Sequence, residues 1–173
     1  MSVVEANVAA GPRLGPFDPS YAAEIASWVT TPEEAHWLAP ATDPPLTEAK
    51  VLGWIESGRR PFLFTREEER LPLGYGELNA MRGRVDHLWL GHVVVRPDQR
   101  GKGTGGALVA ALLAEAFGPQ AVTRVSLIVF PDNTAALQCY VRAGFVQVGE
   151  EWHRFGRSGP KQRLLRLEIA VKT

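Results

Sequence analysis

The stretch Arg100-Gly101-Lys102-Gly103-Thr104-Gly105-Gly106 has the composition of an anion-binding turn. It follows the β-branched run Val93-Val94-Val95 and opens directly into an apolar helix. Bare backbone N–H groups therefore converge at a helix N-terminus. A phosphate or pyrophosphate suits such a spot. The glycines at 101, 103, 105 and 106 let the backbone approach the anion closely, and Arg100 and Lys102 add positive charge. A P-loop is excluded, because Lys102 is followed by Gly103 and not by Ser or Thr. Gly101-x-Gly103-x-x-Gly106 matches the dinucleotide fingerprint literally, which leaves an NAD(P)-binding protein open as an alternative. Against it, Arg96 to Arg100 separate the turn from the strand end, and a lone pattern of this type is a weak signal.

Other residues carry chemistry more quietly. Tyr75, Glu77 and Asn79 alternate on one face of a strand. A carboxylate among apolar strand neighbours is unusual. His92 has the better intrinsic pKa for a base, although a histidine in a buried strand is more often a satisfied core residue. Cys139 is the one cysteine, so no internal disulfide can form. Its mid-helix position with no base partner reads as core packing.

A second motif follows the glycine turn at a suggestive distance: Asn133-Thr134-Ala135-Ala136-Leu137-Gln138-Cys139-Tyr140-Val141-Arg142-Ala143-Gly144-Phe145. Together, Arg100-x-x-Gly103-x-Gly105 and this segment resemble the GNAT superfamily of acyl-CoA-dependent N-acetyltransferases. The family pattern is Gln/Arg-x-x-Gly-x-Gly/Ala, then Asn-x-x-Ala-x-x-x-Tyr-x-x-x-Gly-Phe. The likeness is specific from Val93 to Phe145. Thr104 departs from the aliphatic residue common at its position, which matters little for a clamp made of backbone.

The resemblance implies acetyl transfer from acetyl-CoA, as co-substrate and without a metal, to a primary amine on a small molecule or a peptide N-terminus. The glycine turn would hold the CoA pyrophosphate. Backbone groups of Val93, Val94 and Val95 would bind the pantetheine arm and the thioester oxygen. Tyr140, two helical turns from Asn133 and on the same face, would protonate the leaving sulfur. Asn133 and Ala136 would line the cofactor side, with Asn133 also able to cap its helix. The family's usual central-strand glutamate is missing here, so the amine's proton is expected to leave through Glu77, directly or by a water, with His92 as the competing route. A water chain with no dedicated base, or a catalytically idle CoA-binding sensor, stays open. A homodimer is also left open as a partner state.

Composition narrows the classes. The chain has 173 residues, 45% of them hydrophobic, with 19 basic and 19 acidic side chains and zero formal net charge. That balance gives no support for nucleic-acid or anionic-membrane partners. No apolar run approaches transmembrane length, no signal pattern opens the chain, and a reducing cytoplasm is the default.

These residues need a frame. Residues 1–15 read as an arm or a broken edge strand, and 16–173 as one acetyltransferase domain. Asp18-Pro19, Thr31-Pro32 and Thr47 start three short helices. The acceptor side of this family lies there, so Trp28, Trp37 and His36 could line it, with core packing the favoured reading. Phe62–Thr65 and Leu73–Met81 read as a hairpin. Leu88–Val95 reads as a central strand buried on both faces. Gly101–Phe117 reads as a largely buried helix, Val125–Phe130 as a second buried strand, and Thr134 onward as a helix ended by Gly144. Phe145–Val148 and Leu164–Val171 are the last strands, joined by a polar loop. The fold class is a single-domain GNAT-like α/β fold: a mixed, mostly antiparallel sheet with a central, splayed parallel pair, flanked by helices.

Overall fold

A computed structural model describes residues 11–171. The first ten residues of the expected arm lie outside that range. Seven strands form one sheet: β1 (Arg13–Pro16), β2 (Pro61–Thr65), β3 (Gly74–Met81), β4 (Arg84–Val95), β5 (Arg124–Val129), β6 (Val146–Arg154) and β7 (Lys161–Ala170). Their order is β1-β2-β3-β4-β5-β7-β6. Only β4 and β5 pair in parallel, over His87–Arg124, Leu88–Val125 and Trp89–Ser126. Every other pairing is antiparallel. This is the expected mixed sheet with one parallel pair, and a doubly wound dinucleotide fold has a different arrangement.

Five helices flank it: α1 (Ala22–Ser27), α2 (Pro32–Leu38), α3 (Glu48–Glu56), α4 (Thr104–Phe117) and α5 (Thr134–Arg142). Each start signal works as its chemistry requires. The Thr31 hydroxyl accepts from the Glu34 N–H at 3.1 Å, and Asn133 Oδ1 accepts from the Ala136 N–H at 3.3 Å. These caps satisfy donors that the first helical turn leaves open.

The sheet is packed on both faces. On one, α4 and the strands enclose Leu78, Leu108, Leu112, Val125, Leu127 and Phe145. Glycines at 74 and 76 permit this closeness, since a Cβ at Gly76 would sit 2.7 Å from a Leu112 methyl. On the other face, α1 and α3 bury Ile25, Trp28, Val51 and Trp54 against Tyr75 and Val94. Trp28 and Trp54 are thus core residues.

Two expectations need correction. The strand expected to be buried on both faces is only half-buried at Trp89, Gly91, His92, Val93 and Val95. After Trp89 its pairing with β5 stops, and the two strands part into a cleft. The helix expected from Gly101 begins at Thr104, and its outer face exposes Gly106, Ala107, Ala110 and Ala114. Alanine favours helix while presenting little apolar area to water.

Candidate active site

The cleft between β4 and β5 has a volume of about 620 Å³. The parted strand β4, α4, α5, α2 and the end of α3 form its walls. Three sets of groups meet there.

At one end is the glycine turn. Gly101 and Gly103 take φ of +70° and +80°, conformations that cost glycine little and other residues more. Gly103 caps α4 with no side chain, so the N–H groups of Thr104, Gly105 and Gly106 lack carbonyl partners inside the helix. Nothing lies within 4 Å of where a Cβ at Gly101 or Gly103 would stand, so the cradle is open. Its electrostatics differ from the expectation in one respect. The Arg100 guanidinium is spent internally, donating to Glu34 Oε1 at 2.7 Å, the Trp28 carbonyl at 2.7 Å and the Val95 carbonyl at 3.1 Å. It clips the end of β4 to the N-terminal helices. Lys102, exposed, is the cation left at the turn itself.

Along one wall run Ala136, Cys139 and Tyr140 of α5, with Asn133 at its start. Tyr140 meets Phe145 edge-on, ring centroids 5.8 Å apart. Burial pushes its phenol above the ordinary value, so the hydroxyl keeps its proton at neutral pH. Burial likewise pushes the Cys139 thiol up, which disfavours the thiolate a nucleophile needs.

On the opposite wall β4 carries a bulge. Tyr75 pairs with Val94 and Glu77 with Gly91, so His92 and Val93 together oppose Gly76. His92 takes φ +44°, unusual for a residue with a side chain. The bulge turns its ring onto Trp54, centroids 3.9 Å apart and nearly parallel. His92 lines the cleft; Glu77 sits behind it, fully buried.

Glu77 receives four donors. Oε1 accepts from the Tyr75 hydroxyl and shares a hydrogen bond with His92 Nδ1, each at 2.8 Å. Oε2 accepts from Asn79 Nδ2 at 2.9 Å and Arg59 Nη1 at 3.3 Å. Burial alone would raise its pKa. The hydrogen bond and charge of His92, then Asn79 and Tyr75, outweigh that and hold the carboxyl below the ordinary glutamate value. An ionised carboxylate with every oxygen occupied and no place on the cleft wall is poorly suited to take a proton from an amine itself. It can orient His92 by accepting from Nδ1, which leaves Nε2 free as a base. Of the two residues expected to take the proton, His92 stands on the cleft wall and Glu77 behind it. Gly91 makes room for the arrangement, because a Cβ there would stand 3.3 Å from Glu77 Oε2.

Sequence reading passed over Arg59, which has no motif around it, and Trp54 as the platform for His92. Of the N-terminal aromatics, Trp37 and Trp54 line the cleft, and the Trp37 indole N–H donates to Asp132 at 3.3 Å. His36 bonds Gln162 at 2.8 Å. In the last hairpin, Arg163 of β7 pairs with Glu150 of β6 at 2.8 Å.

Known proteins resemble this chain in sequence or in fold. The model of the "Acetyltransferase (GNAT) family" matches residues 17–145. The aminoglycoside N(6')-acetyltransferase type 1 of Klebsiella pneumoniae is 31% identical over 88 residues, 45% of this chain and 44% of that protein. The kanamycin resistance protein of Rhizobium radiobacter is 41% identical over 52 residues, 30% of this chain and 48% of that protein. The chain therefore spans less than half the length of these curated relatives. Among solved structures, a spermidine N-acetyltransferase from Vibrio cholerae in complex with CoA and spermine superposes with a TM-score of 0.75 at 18% identity, covering 92% of this chain and 95% of that one. A GNAT-family acetyltransferase from Bacillus anthracis gives 0.77 at 15% identity, covering 94% and 96%. By the span of the family match and the shared fold, the chain belongs to the acetyltransferase (GNAT) family.

Proposed function

We propose that the cleft takes acetyl-CoA as co-substrate and transfers its acetyl group to a primary amine. One observation carries this reading: the parting of β4 from β5 opens a single cleft with an anion cradle at one end and His92 and Tyr140 on its walls. The backbone N–H groups of residues 101 to 106 hold the pyrophosphate. The unpaired edge of β4 from Gly91 to Val95 orients the thioester and offers N–H groups to its carbonyl oxygen.

His92 Nε2, directly or through a water, accepts the proton that the incoming ammonium must lose. Glu77 is its positioning residue. The amine nitrogen then attacks the thioester carbon, the carbon–sulfur bond breaks, sulfur leaves with the electron pair, and the nitrogen gives up its remaining extra proton to solvent. Tyr140 donates a hydrogen bond to that sulfur. Because its phenol is harder to ionise than usual, its role is to stabilise the departing thiolate by that bond, while the final proton comes from solvent. Thioesters are already activated, so positioning supplies much of the rate.

The test is thiol release from acetyl-CoA across a panel of amines, with CoA binding followed by calorimetry. Turnover that needs both acetyl-CoA and an amine supports the reading. CoA binding without turnover on any amine replaces it with a CoA-binding sensor. Stabilisation by NAD(P) and not by CoA replaces it with a dinucleotide-binding protein.

A further inference from the structure

We propose, resting on the acetyl-transfer reading, that the acceptor is an amine carrying its own carboxylate, an amino-acid-type substrate anchored by Arg59, and not a polycation. The charges around the cleft carry this. A polycationic amine needs unpaired acidic side chains to replace its water. The charged side chains lining the cleft are Glu34, Arg59 and Arg100, with His92 beside them. Glu34 is consumed by Arg100 at 2.7 Å and by the Thr30 N–H at 2.8 Å. Glu77, behind the wall, is saturated by four donors. Glu151, across the sheet, is taken by Arg166 and His153.

Arg59 is the opposite case. Its guanidinium spends one Nη1 contact, at 3.3 Å, on Glu77, and its side chain remains 38% exposed. It lines both the cleft and a second pocket of about 540 Å³ beside it, where Asn79 and Trp89 also stand. A guanidinium with donors left over presents a fork that matches a carboxylate. The position is as telling as the charge. His92 Nδ1 and Arg59 Nη1 contact opposite oxygens of the same carboxylate, which holds them within about 8 Å of each other at hydrogen-bond lengths. A substrate whose carboxylate sits on Arg59 therefore brings a nearby amino group toward His92. In a single molecule these two groups must lie a few atoms apart, as they do in an amino acid.

The experiment compares matched amines in the intact protein: the twenty amino acids, their carboxamides, spermidine and kanamycin, each assayed for thiol release from acetyl-CoA. At least one amino acid is expected to exceed its own carboxamide by tenfold or more in kcat/KM, with the difference in KM. Arg59→Gln, checked for folding by its melting temperature, is expected to bring the pair within about threefold of each other, the acid's KM rising far more than its carboxamide's. Equal use of acid and carboxamide by the wild type, or preference for spermidine or kanamycin, overturns the Arg59 assignment while leaving acetyl transfer standing. An equal loss on both members of the pair in Arg59→Gln also overturns it, since that marks damage to the Glu77 cluster and not loss of an anchor. Absence of turnover with every amine overturns the acetyl-transfer reading and this inference with it.

Discussion

Glu77→Gln separates orientation from proton transfer. The substitution keeps shape and replaces one carboxylate oxygen by an NH2 that can only donate. Oε2 faces Asn79 and Arg59, and arginine cannot accept. The amide nitrogen is thus driven to the Oε1 side, facing Tyr75 and His92 Nδ1. A tyrosine hydroxyl can turn to accept. His92 can accept at Nδ1 only by moving its proton to Nε2, the atom needed as base. Loss of a general base costs roughly 10²–10⁴ in rate, so kcat/KM at pH 7 should fall by about a hundredfold. The deficit should shrink at high pH, where the amine is already free. Stability should drop by about 2 kcal/mol, the order expected when buried hydrogen-bonding groups lose a partner, or roughly 4–8 °C in Tm for a chain of this size. The acid limb follows from the lowered Glu77 pKa. A depressed carboxyl pKa contributes stability above the unfolded value, about 4.3, and that contribution disappears as pH falls through the folded value. Wild type should therefore lose more stability than Glu77→Gln between pH 5 and lower pH. Steady-state pH profiles and thermal melts read both effects. A Glu77→Gln protein with wild-type kcat/KM at pH 7, or with a deficit that is the same at every pH, refutes the orientation role.

Three further substitutions address the rest of the cleft. Gly105→Glu should fold, because a Cβ there meets Cys139 and Val95 only at 3.7 Å, yet it should abolish CoA binding by placing negative charge in the cradle; unchanged affinity by calorimetry excludes the clamp. Tyr140→Phe should keep Tm and CoA affinity but lower kcat by about 10- to 100-fold, the value of a hydrogen bond to a charged group; wild-type kcat across the pH range removes Tyr140 from the reaction. Arg100→Met should lower Tm by several degrees through loss of the Glu34 and Trp28 contacts while CoA affinity stays within about threefold. A large loss of affinity at unchanged Tm would show that the side chain does bind the anion.

The parts of this site that lie in one stretch of chain were legible in the sequence. The glycine turn, the Asn133 cap and the face shared by Asn133 and Tyr140 depend on local backbone preferences, which residue types report directly. The face shared by Tyr75, Glu77 and Asn79 follows from strand alternation, and all three meet in one hydrogen-bonded cluster. What stayed hidden is set between strands. The run from Leu88 to Val95 is as apolar as a buried strand, and nothing in it records that pairing with β5 ends at Trp89. The bulge at His92 shows only in register, two residues against Gly76. The last two strands run longer than expected, to Arg154 and back from Lys161. Their extra length is held by cross-strand charge pairs, Glu150 with Arg163 and Glu151 with Arg166. Such pairs support a hairpin without apolar alternation, and alternation was the signal being read.

The Glu77 cluster explains why a half-buried strand should carry so much polar chemistry. A fully buried carboxylate is a poor choice for stability alone, since an apolar side chain of similar volume often does as well or better. Its four donors come from β3, from β4 and from the segment after α3. His92 pays for its place with a left-handed backbone, and the bond to Glu77 together with the Trp54 stack fixes the ring in that conformation. A strained residue persists where its surroundings over-determine it, and such positions cluster at functional sites. The same carboxylate fixes Arg59 on its other oxygen. A single buried charge thereby sets the distance between His92, the proposed base, and Arg59, the proposed anchor. An apolar residue at position 77 could fill the space, but it could not set that distance.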